Sequence, residues 1–386
     1  MKKVLTLALT LLVCLTVLSP AMAEAGLSGK LEIWHYWAGK TEQDCIRAIA
    51  DDFCAQNPGV EIVITSFARD ELGKLLTMGA VSGELPDVCM MDNPVMNAYV
   101  KMGLAMDITD RFMAWDEHEL YYEGPLKSCT DEGRIYGIPH NSNCLELFYD
   151  VDMLAGAGVE PPTTWAELLN VCAALKAAYP DVYPIGFSAN NNEEGTFQFL
   201  PFLLSANATL DDLSSEAAIK AVSFWKELID KGYAPKDVIN WGQNEVNTRF
   251  GSGNLAMQIN GPWQTANLRL DAPDKNWNVT LIPKDDHYAS VLGGENFAVT
   301  TACENPDLGW AWLSFFCNGQ NTATFCSKMG RFTPRSDGDE YTDFWRTDPI
   351  SQVFAEGMQY AQPRGPHPRW SEFSSILSGA IQEVLT

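Results

Sequence analysis

The chain has 386 residues and is strongly acidic, with 50 Asp and Glu residues against 26 Lys and Arg and a formal net charge of −24. A chain of this length usually forms two domains rather than one. The acidity argues against nucleic acid and anionic membrane surfaces as partners, because both are negatively charged themselves.

The first residues have the layout of an export signal. Two lysines precede the apolar run "VLTLALTLLVCLTVL", and the small-residue pattern "AMA" follows it. This layout predicts a signal peptide over residues 1–23, because the run is too short for a permanent membrane span. We expect plain cleavage rather than lipid attachment at Cys14, and therefore a soluble protein in the periplasm or outside the cell.

The ten cysteines and five histidines do not form a metal or redox motif, since there is no Cys-x-x-Cys pair and the histidines are scattered. Cys45 and Cys54 share one predicted helix and lie too far apart along it to form a disulfide. Because exported proteins can form disulfides, one or two disulfides are an alternative for some of these cysteines. We expect most of the cysteines to be buried as small hydrophobic residues, and we expect no metal and no cofactor.

The predicted elements begin with strands and helices in alternation. A strand over 31–37 is followed by a helix introduced by Thr41, the strand "EIVITSF", the helix "LGKLLTMGAVSG" and the short strand "PDVCMMD". This order is typical of an α/β layer with a parallel sheet. Ligands in such sheets bind at the carboxyl ends of the strands, where Trp37 and Asp92 lie.

The later elements are less regular. "RIYGIPHNSNCLELFYD" predicts two strand pieces around a polar kink, and a helix follows with Thr164 and Glu167 as a capping box. Further helices are predicted over about 216–231 and 306–317. The buried strand "LAMQI" stops at Asn260-Gly261-Pro262, and Trp263 stands directly beyond that turn.

Aromatic and polar side chains gather at the predicted strand ends, a mixture that suits a sugar. Pyranose rings pack on aromatic faces, while their hydroxyls need donors and acceptors at fixed angles. For each tryptophan, burial in the hydrophobic core is an alternative to ligand binding. In "AQPRGPHPRW", arginines in a rigid loop either contact hydroxyls or carboxylates of a ligand or belong to a surface connector. Catalysis has little support, because no nucleophile elbow, His-Glu-x-x-His or P-loop is present.

Several stretches carry a family resemblance: "LEIWHYWAGK", "LPDVCMMD", "GRIYGIPHNSNCLELFYDVDMLAGAGVEPPTTWAELL", "FGSGNLAMQINGPWQ" and "GGENFAVTTACENPDLGWAWLSFF". In this order and spacing they resemble the extracellular sugar-binding proteins of ABC importers (family 1), the group that includes maltose-binding protein. The resemblance runs from about Lys30 to the end of the chain.

The resemblance implies a two-lobed α/β fold, the type II periplasmic-binding-protein fold, with a ligand cleft between lobes that the chain crosses three times. The expected N-terminal lobe comprises 27–138 plus 293–335, and the C-terminal lobe 139–292 plus 336–386. Members usually continue for about one more helix, so the resemblance implies a truncated C-terminus. Carried over position by position, it implies a ligand site made of Tyr36, Trp37, Asp92, Asn141, Ser142, Asn143, Glu194, Phe197, Trp263, Gly294, Glu295, Asn296, Arg364 and Trp370.

The function implied is that of a monomeric receptor that captures a sugar or small oligosaccharide by hinge closure and delivers it to the membrane permease of an ABC transporter. Such a protein is not an enzyme. One alternative is a receptor for a non-sugar solute such as a polyamine, whose site would need converging acids of the kind that Asp92, Glu194 and Glu295 could supply. A less favoured alternative is a secreted glycoside hydrolase, since 50 acidic residues offer many carboxylate pairs.

Overall fold

The computed structural model describes residues 26–365 and 367–386; the predicted signal peptide and Cys14 lie outside them. The strands of this part of the chain are β1 (Ser28–His35), β2 (Gly59–Ser66), β3 (Val88–Asp92), β4 (Thr130–Asp131), β5 (Arg134–Ile135), β6 (Ile138–Pro139), β7 (Glu146–Asp150), β8 (Tyr183–Gly186), β9 (Leu255–Asn260), β10 (Trp277–Thr280), β11 (Ser290–Leu292), β12 (Glu295–Val299) and β13 (Ala361–Pro363).

Helices connect and cover these strands, together with short 3₁₀ turns at Asn93–Val95, His118–Leu120 and Lys236–Asn240. The helices are α1 (Lys40–Gln56), α2 (Arg69–Ser82), α3 (Met96–Lys101), α4 (Thr109–Met113), α5 (Glu123–Lys127), α6 (Val151–Ala157), α7 (Trp165–Ala178), α8 (Glu193–Ser205), α9 (Glu216–Asp230), α10 (Gln243–Gly251), α11 (Trp263–Asp271), α12 (Pro306–Phe316), α13 (Gly319–Met329), α14 (Gly338–Tyr341), α15 (Phe344–Thr347), α16 (Pro349–Met358) and α17 (Trp370–Leu385).

Two sheets form the centres of two lobes. The first has the order β2-β1-β3-β12-β6, in which β1 lies parallel to both β2 and β3 while β12 runs antiparallel to β3 and β6. The second has the order β10-β7-β9-β8, with only the β8–β9 pair parallel. The predicted parallel α/β layer is therefore confirmed for β1, β2 and β3, whereas β12 enters the first sheet antiparallel and most pairs of the second sheet are antiparallel.

Separate hydrophobic cores lie on the two sheets. The second sheet carries a cluster that runs from Cys144 to Ile282 and adds the inner face of α17. The first sheet carries clusters built from its own strands, α1, α2, α12 and α13. Trp345 packs against the first-sheet core although the expected division places it in the other lobe, while Phe354 lies in the second-sheet core. Packing thus changes from the first-sheet core to the second-sheet core between these two residues.

Local sequence explains several element boundaries. Strand β1 ends at His35, two residues before the predicted end, so Trp37 lies just beyond it. Helix α1 begins after Gly39, whose N–H donates to the Glu42 carboxylate over 2.9 Å. The predicted capping box of α7 is half formed: Thr164 accepts the Glu167 N–H, but the Glu167 carboxylate accepts the N–H of Thr163 instead of that of Thr164.

The nine cysteines of the described residues are all free thiols, and all except Cys54 are buried. Packing as small hydrophobic side chains is thus confirmed for eight of them. Within the described ranges, no helix combines the length and apolar character that a membrane crossing requires. The same residues contain no group of three or more His, Cys, Asp or Glu side chains arranged to hold a metal ion.

Candidate functional site

Three chain segments lie side by side where the lobes meet. Asn143 and Gly293 exchange two backbone hydrogen bonds of 3.1 and 2.8 Å, and Ser142 exchanges two with Phe332 of 2.8 and 2.9 Å. Gly294 has φ +152°, and a Cβ there would stand 2.3 Å from the Asn141 carbonyl oxygen. Only glycine fits this close approach, so the junction between the lobes requires Gly294.

A cavity of about 260 Å³ lies on one side of this junction, and we call it the cleft cavity. It opens at the carboxyl ends of β1, β3 and β9, the place where ligands bind in open α/β sheets. Both lobes contribute to its wall. The lining residues are Tyr36, Trp37, Ala38, Glu42, Phe67, Ala68, Arg69, Asp92, Asn143, Glu194, Phe197, Gln243, Asn244, Trp263, Gly293, Gly294, Glu295, Arg331 and Arg364.

Trp263 lies on the wall that the C-terminal lobe contributes to the cleft cavity. Strand β9 ends at Asn260, and Trp263 is the first residue of α11. Its ring folds back over Gly261, where a Cβ would stand 2.0 Å from the indole Cζ3. The half-buried indole lies near Phe197, with ring centroids 6.5 Å apart and an angle of 26° between the planes. The glycine therefore lets the chain hold a flat ring against the cavity.

Asp92 is the centre of an ion-pair cluster that joins the lobes. Arg364 donates to both of its carboxylate oxygens over 2.9 and 3.1 Å, and Arg69 donates to it over 2.8 Å. Arg364 also pairs with Glu193 at the start of α8. Burial alone would raise the pKa of Asp92, but the two arginines outweigh it and hold that pKa below its usual range. Asp92 is thus a buried, ionised anchor for both guanidinium groups.

Arg331 places a second charged cluster on the cavity wall. Its guanidinium pairs with Glu42 and stands 3.8 Å from Glu295, with its centre 5.9 Å from the Trp263 ring centroid. Burial raises the pKa of Glu42 despite the neighbouring arginine. Among the described residues, the Nε and Nη1 of Arg331 and the Oε2 of Glu295 are buried without a hydrogen-bond partner. Buried polar atoms normally have partners, so this cluster has hydrogen-bonding capacity that the described side chains do not use.

Glu194 and Asn143 complete the polar lining. The Glu194 carboxylate accepts the N–H of Gln243 over 3.0 Å at the start of α10. Burial raises the pKa of Glu194, although nearby Arg69 lowers it. Asn143 is itself buried within the hydrogen-bonded junction between the lobes. The cavity therefore offers acceptors, donors and an aromatic face within one small volume.

The structure brings ten of the fourteen predicted site residues to the cleft cavity. It does not bring Asn141, Ser142, Asn296 or Trp370 there. Asn296 instead hydrogen-bonds with Ser128, and buried Trp370 donates its indole N–H to Glu193 over 2.9 Å. Asn141, Ser142 and Asn296 line a cavity of about 800 Å³ on the opposite side of the junction, which we call the rear cavity.

Trp37 combines two environments. It lines the cleft cavity, yet it is buried in the core of the N-terminal lobe and stacks on Phe325 at a centroid distance of 4.3 Å. The prediction missed a carboxylate, two arginines and two amides that lie in the first turn of a helix or just beyond a helix end. These missed lining residues include Glu42, Arg69, Gln243, Asn244 and Arg331.

The rear cavity is larger but has fewer features of a polar ligand site. Its wall includes Pro94, Pro139, Phe332 and Trp345. The arginine that it does not share with the cleft cavity, Arg335, donates to both carboxylate oxygens of Asp337 over 2.9 and 2.7 Å. The unpartnered Arg331 and Glu295 atoms belong to residues of the cleft cavity, which makes that cavity the candidate site.

Fold and cleft together define a two-lobed binding protein with a solute site between its lobes. The chain belongs to the family of bacterial extracellular solute-binding proteins, whose sequence profile matches residues 48–353. The predicted family and fold are thereby confirmed.

Known relatives and solved structures agree with this class. The lactose-binding protein of Rhizobium radiobacter is 24% identical, with 95% of this chain and 90% of that protein covered. The maltodextrin-binding protein MdxE of Bacillus subtilis (strain 168) is 22% identical, with 88% and 81% covered. An ABC transporter solute-binding protein from Thermotoga lettingae TMO, solved with α-D-tagatose, has a TM-score of 0.85 at 23% identity and coverages of 93% and 94%. At such identities the structural likeness shows the fold alone.

Proposed function

We propose that the protein binds a neutral sugar or small oligosaccharide in the cleft cavity and delivers it to the permease of an ABC importer. The observation that carries this proposal is the pairing of an aromatic platform, Trp263, with unpartnered polar atoms of Arg331 and Glu295. An aromatic face accepts the C–H side of a pyranose ring, and fixed donors and acceptors bind its hydroxyls. The printed names of the relatives, lactose- and maltodextrin-binding proteins, support the same ligand class.

The charges of the cavity support a neutral ligand over an ion. The lining contains three arginines and four carboxylates. Asp92 is neutralised by two arginines, and Arg331 lies between Glu42 and Glu295. A polyamine would need acids that are free of such partners, and an anion would need guanidinium groups that are free of carboxylates. The lining holds one carboxylate more than it holds arginines; this carboxylate, Glu194, accepts the Gln243 N–H, and burial raises its pKa. A single such acid is fewer than the several converging acids that a polyamine would need.

The proposed mechanism is capture by closure of the two lobes about the junction at Asn143, Gly293 and Phe332. A ligand that contacts both walls stabilises the closed arrangement and shifts the population towards it. Several contacts between the lobes already exist beside the cavity, including Asn192 to Asp70 over 3.2 Å and Arg364 to Asp92. We propose that the closed protein, exported by way of its signal peptide, is the species that docks on the permease as a monomer without performing chemistry.

The proposed lobes follow the packing of the cores. The N-terminal lobe would comprise 27–138 plus 293–345, and the C-terminal lobe 139–292 plus the residues from α16 onward. We retain all fourteen predicted residues as proposals, with the ten that line the cleft cavity as candidates for direct contact. Asn141, Ser142, Asn296 and Trp370 would act by supporting the junction and Glu193.

The experiment that tests this function is a thermal-shift screen of the mature protein against saccharides, polyamines and glycerol phosphates. We expect a rise in melting temperature with at least one saccharide, because a ligand that binds only the folded state stabilises it by mass action. A shift from a polyamine or a glycerol phosphate, with none from any saccharide, would overturn the proposal. Intact saccharide recovered after incubation would argue against the glycoside hydrolase.

A further inference from the structure

A third cavity between the lobes lies directly beside the cleft cavity. It has a volume of about 670 Å³, and we call it the outer cavity. The N-terminal lobe lines it with side chains of α2 and α3, such as Leu72 and Tyr99. The C-terminal lobe contributes Asn191 and serines from α17, including the exposed Ser371 and Ser375. Hydroxyls, an amide and an aromatic ring there could contact further sugar units.

Three side chains line both cavities: Tyr36, Arg69 and Asp92. Arg69 joins the other two, since it donates to Asp92 over 2.8 Å and to the Tyr36 hydroxyl over 3.1 Å. Its guanidinium carbon also lies 4.5 Å from the Tyr36 ring centroid. These three residues form the partition between the cleft cavity and the outer cavity.

The partition is held firmly. Asp92 is buried and accepts from Arg364 of the other lobe at both carboxylate oxygens, so it cannot swing aside without breaking both of these hydrogen bonds. Breaking a buried ion pair by removing one partner is strongly destabilising. Arg69 is bound to two fixed partners and is 27% exposed at its side chain. A ligand in the cleft cavity therefore meets a wall in this direction.

The cleft cavity itself is small. Its volume of about 260 Å³ lies below the usual range for drug-sized ligands, ~300–1,000 Å³. It has room for one or two sugar rings. The two cavities together would have room for a longer chain, but Arg69 stands between them.

We infer that Arg69 sets the length of the ligand, by closing the cleft cavity against the outer cavity and restricting binding to mono- and disaccharides. This inference rests on the proposed sugar-binding function and names a specificity-determining residue within it. Removal of the guanidinium should join the cavities and admit the third and fourth rings of an oligosaccharide.

The test is isothermal titration calorimetry of wild type and Arg69→Met with mono-, di-, tri- and tetrasaccharides of glucose, mannose, galactose and xylose. Methionine keeps the apolar stem but loses the hydrogen bonds to Asp92 and Tyr36. In wild type, the trisaccharide should bind at least tenfold more weakly than the best mono- or disaccharide of the same sugar. In Arg69→Met, the ratio of the trisaccharide Kd to the Kd of the best mono- or disaccharide should fall at least tenfold. This holds even if the substitution weakens the binding of both ligands.

Two further variants sharpen the result. Arg69→Lys keeps the charge but lacks the planar fork, so its ratio should lie between those of wild type and Arg69→Met. Arg111→Met is the matched control, because it also removes an arginine from an ion pair. Arg111 pairs with Asp307 over 2.6 Å (Nη2 to Oδ1) on the outside of the N-terminal lobe. Its ratio should equal that of wild type.

The outcomes separate the two proposals. If wild type binds no saccharide of the panel, the proposed function fails and the inference fails with it. If wild type binds tri- and tetrasaccharides as well as shorter ones, or if Arg69→Met leaves the ratio unchanged while melting as a folded protein, the function stands and the length limit is refuted.

Discussion

Replacing Trp263 by alanine tests the aromatic platform directly. The half-buried indole lies over Gly261 and beside Phe197 at the cleft cavity. Loss of one stacked aromatic ring costs ~1–3 kcal/mol on the scale measured for rings stacked on nucleobases. We therefore expect the Kd for the sugar, measured by isothermal titration calorimetry, to rise about 5- to 150-fold in Trp263→Ala.

A second tryptophan provides a matched control. Trp277 on β10 is also half-buried, also packs at the edge of the C-terminal core, and lies 5.7 Å from the Phe148 ring centroid, away from the cleft cavity. Both alanine variants should lose part of their unfolding free energy, less than the ~3–5 kcal/mol of a fully buried aromatic residue. Only Trp263→Ala should lose affinity. Equal Kd changes in the two variants, or none in Trp263→Ala, would refute the platform.

Three further predictions concern the junction and its charges. Asp92→Asn should lower the unfolding free energy by ~3–5 kcal/mol in urea denaturation, because two guanidinium groups lose their buried partner; an unchanged midpoint would contradict the cluster. Gly294→Ala should lower the melting temperature and weaken sugar binding, since its Cβ would meet Asn141, and wild-type behaviour in both assays would disprove this. Burial lowers the pKa of His140 to about 3, below the ~6.5 of the unfolded chain. The unfolded state therefore binds the proton first, and stability falls as the pH drops below ~6.5, by about 3 kcal/mol at pH ~4. In His140→Phe, the unfolding free energy measured by urea denaturation should change less with pH over this range than in wild type. The same pH dependence in both proteins would contradict the assignment to His140.

Periodicity and turn chemistry predicted the elements well. The buried strand at Leu255–Asn260 ends where Asn260-Gly261-Pro262 predicts, and helix α9 covers Glu216–Asp230 against an expected 216–231. Such patterns are local, because side-chain alternation and turn residues act within a few positions. Antiparallel entry of β12 into the first sheet depends on contacts between distant segments, which no local pattern encodes.

The candidate site was predicted unevenly for a related reason. Residues at strand ends, such as Asp92 and Trp263, could be found because the carboxyl edge of a sheet gathers them. Arg69 and Arg331 lie at helix ends in the sequence, where a lone arginine is typical of a solvated surface. Their role emerges only from packing, which buries Arg331 between Glu42 and Glu295 and sets Arg69 against Tyr36.

The segment "AQPRGPHPRW" also shows that local sequence does not predict which arginine becomes buried. Its two arginines, Arg364 and Arg369, are alike in sequence, yet the first is buried on Asp92 and the second pairs with Glu372 at the surface. Which of them would reach the cleft depended on the path of the chain between β13 and α17. Neighbouring Trp370 turned inward and supports Glu193.

The most direct test of sugar binding between the lobes is a crystal structure of the protein with the saccharide that gives the largest thermal shift. We predict one or two rings in the cleft cavity, with a ring face on Trp263 and hydroxyls bonded to the atoms of Arg331 and Glu295 that lack a hydrogen-bond partner. A saccharide bound in the rear cavity, or on the surface with the cleft cavity empty, would contradict it.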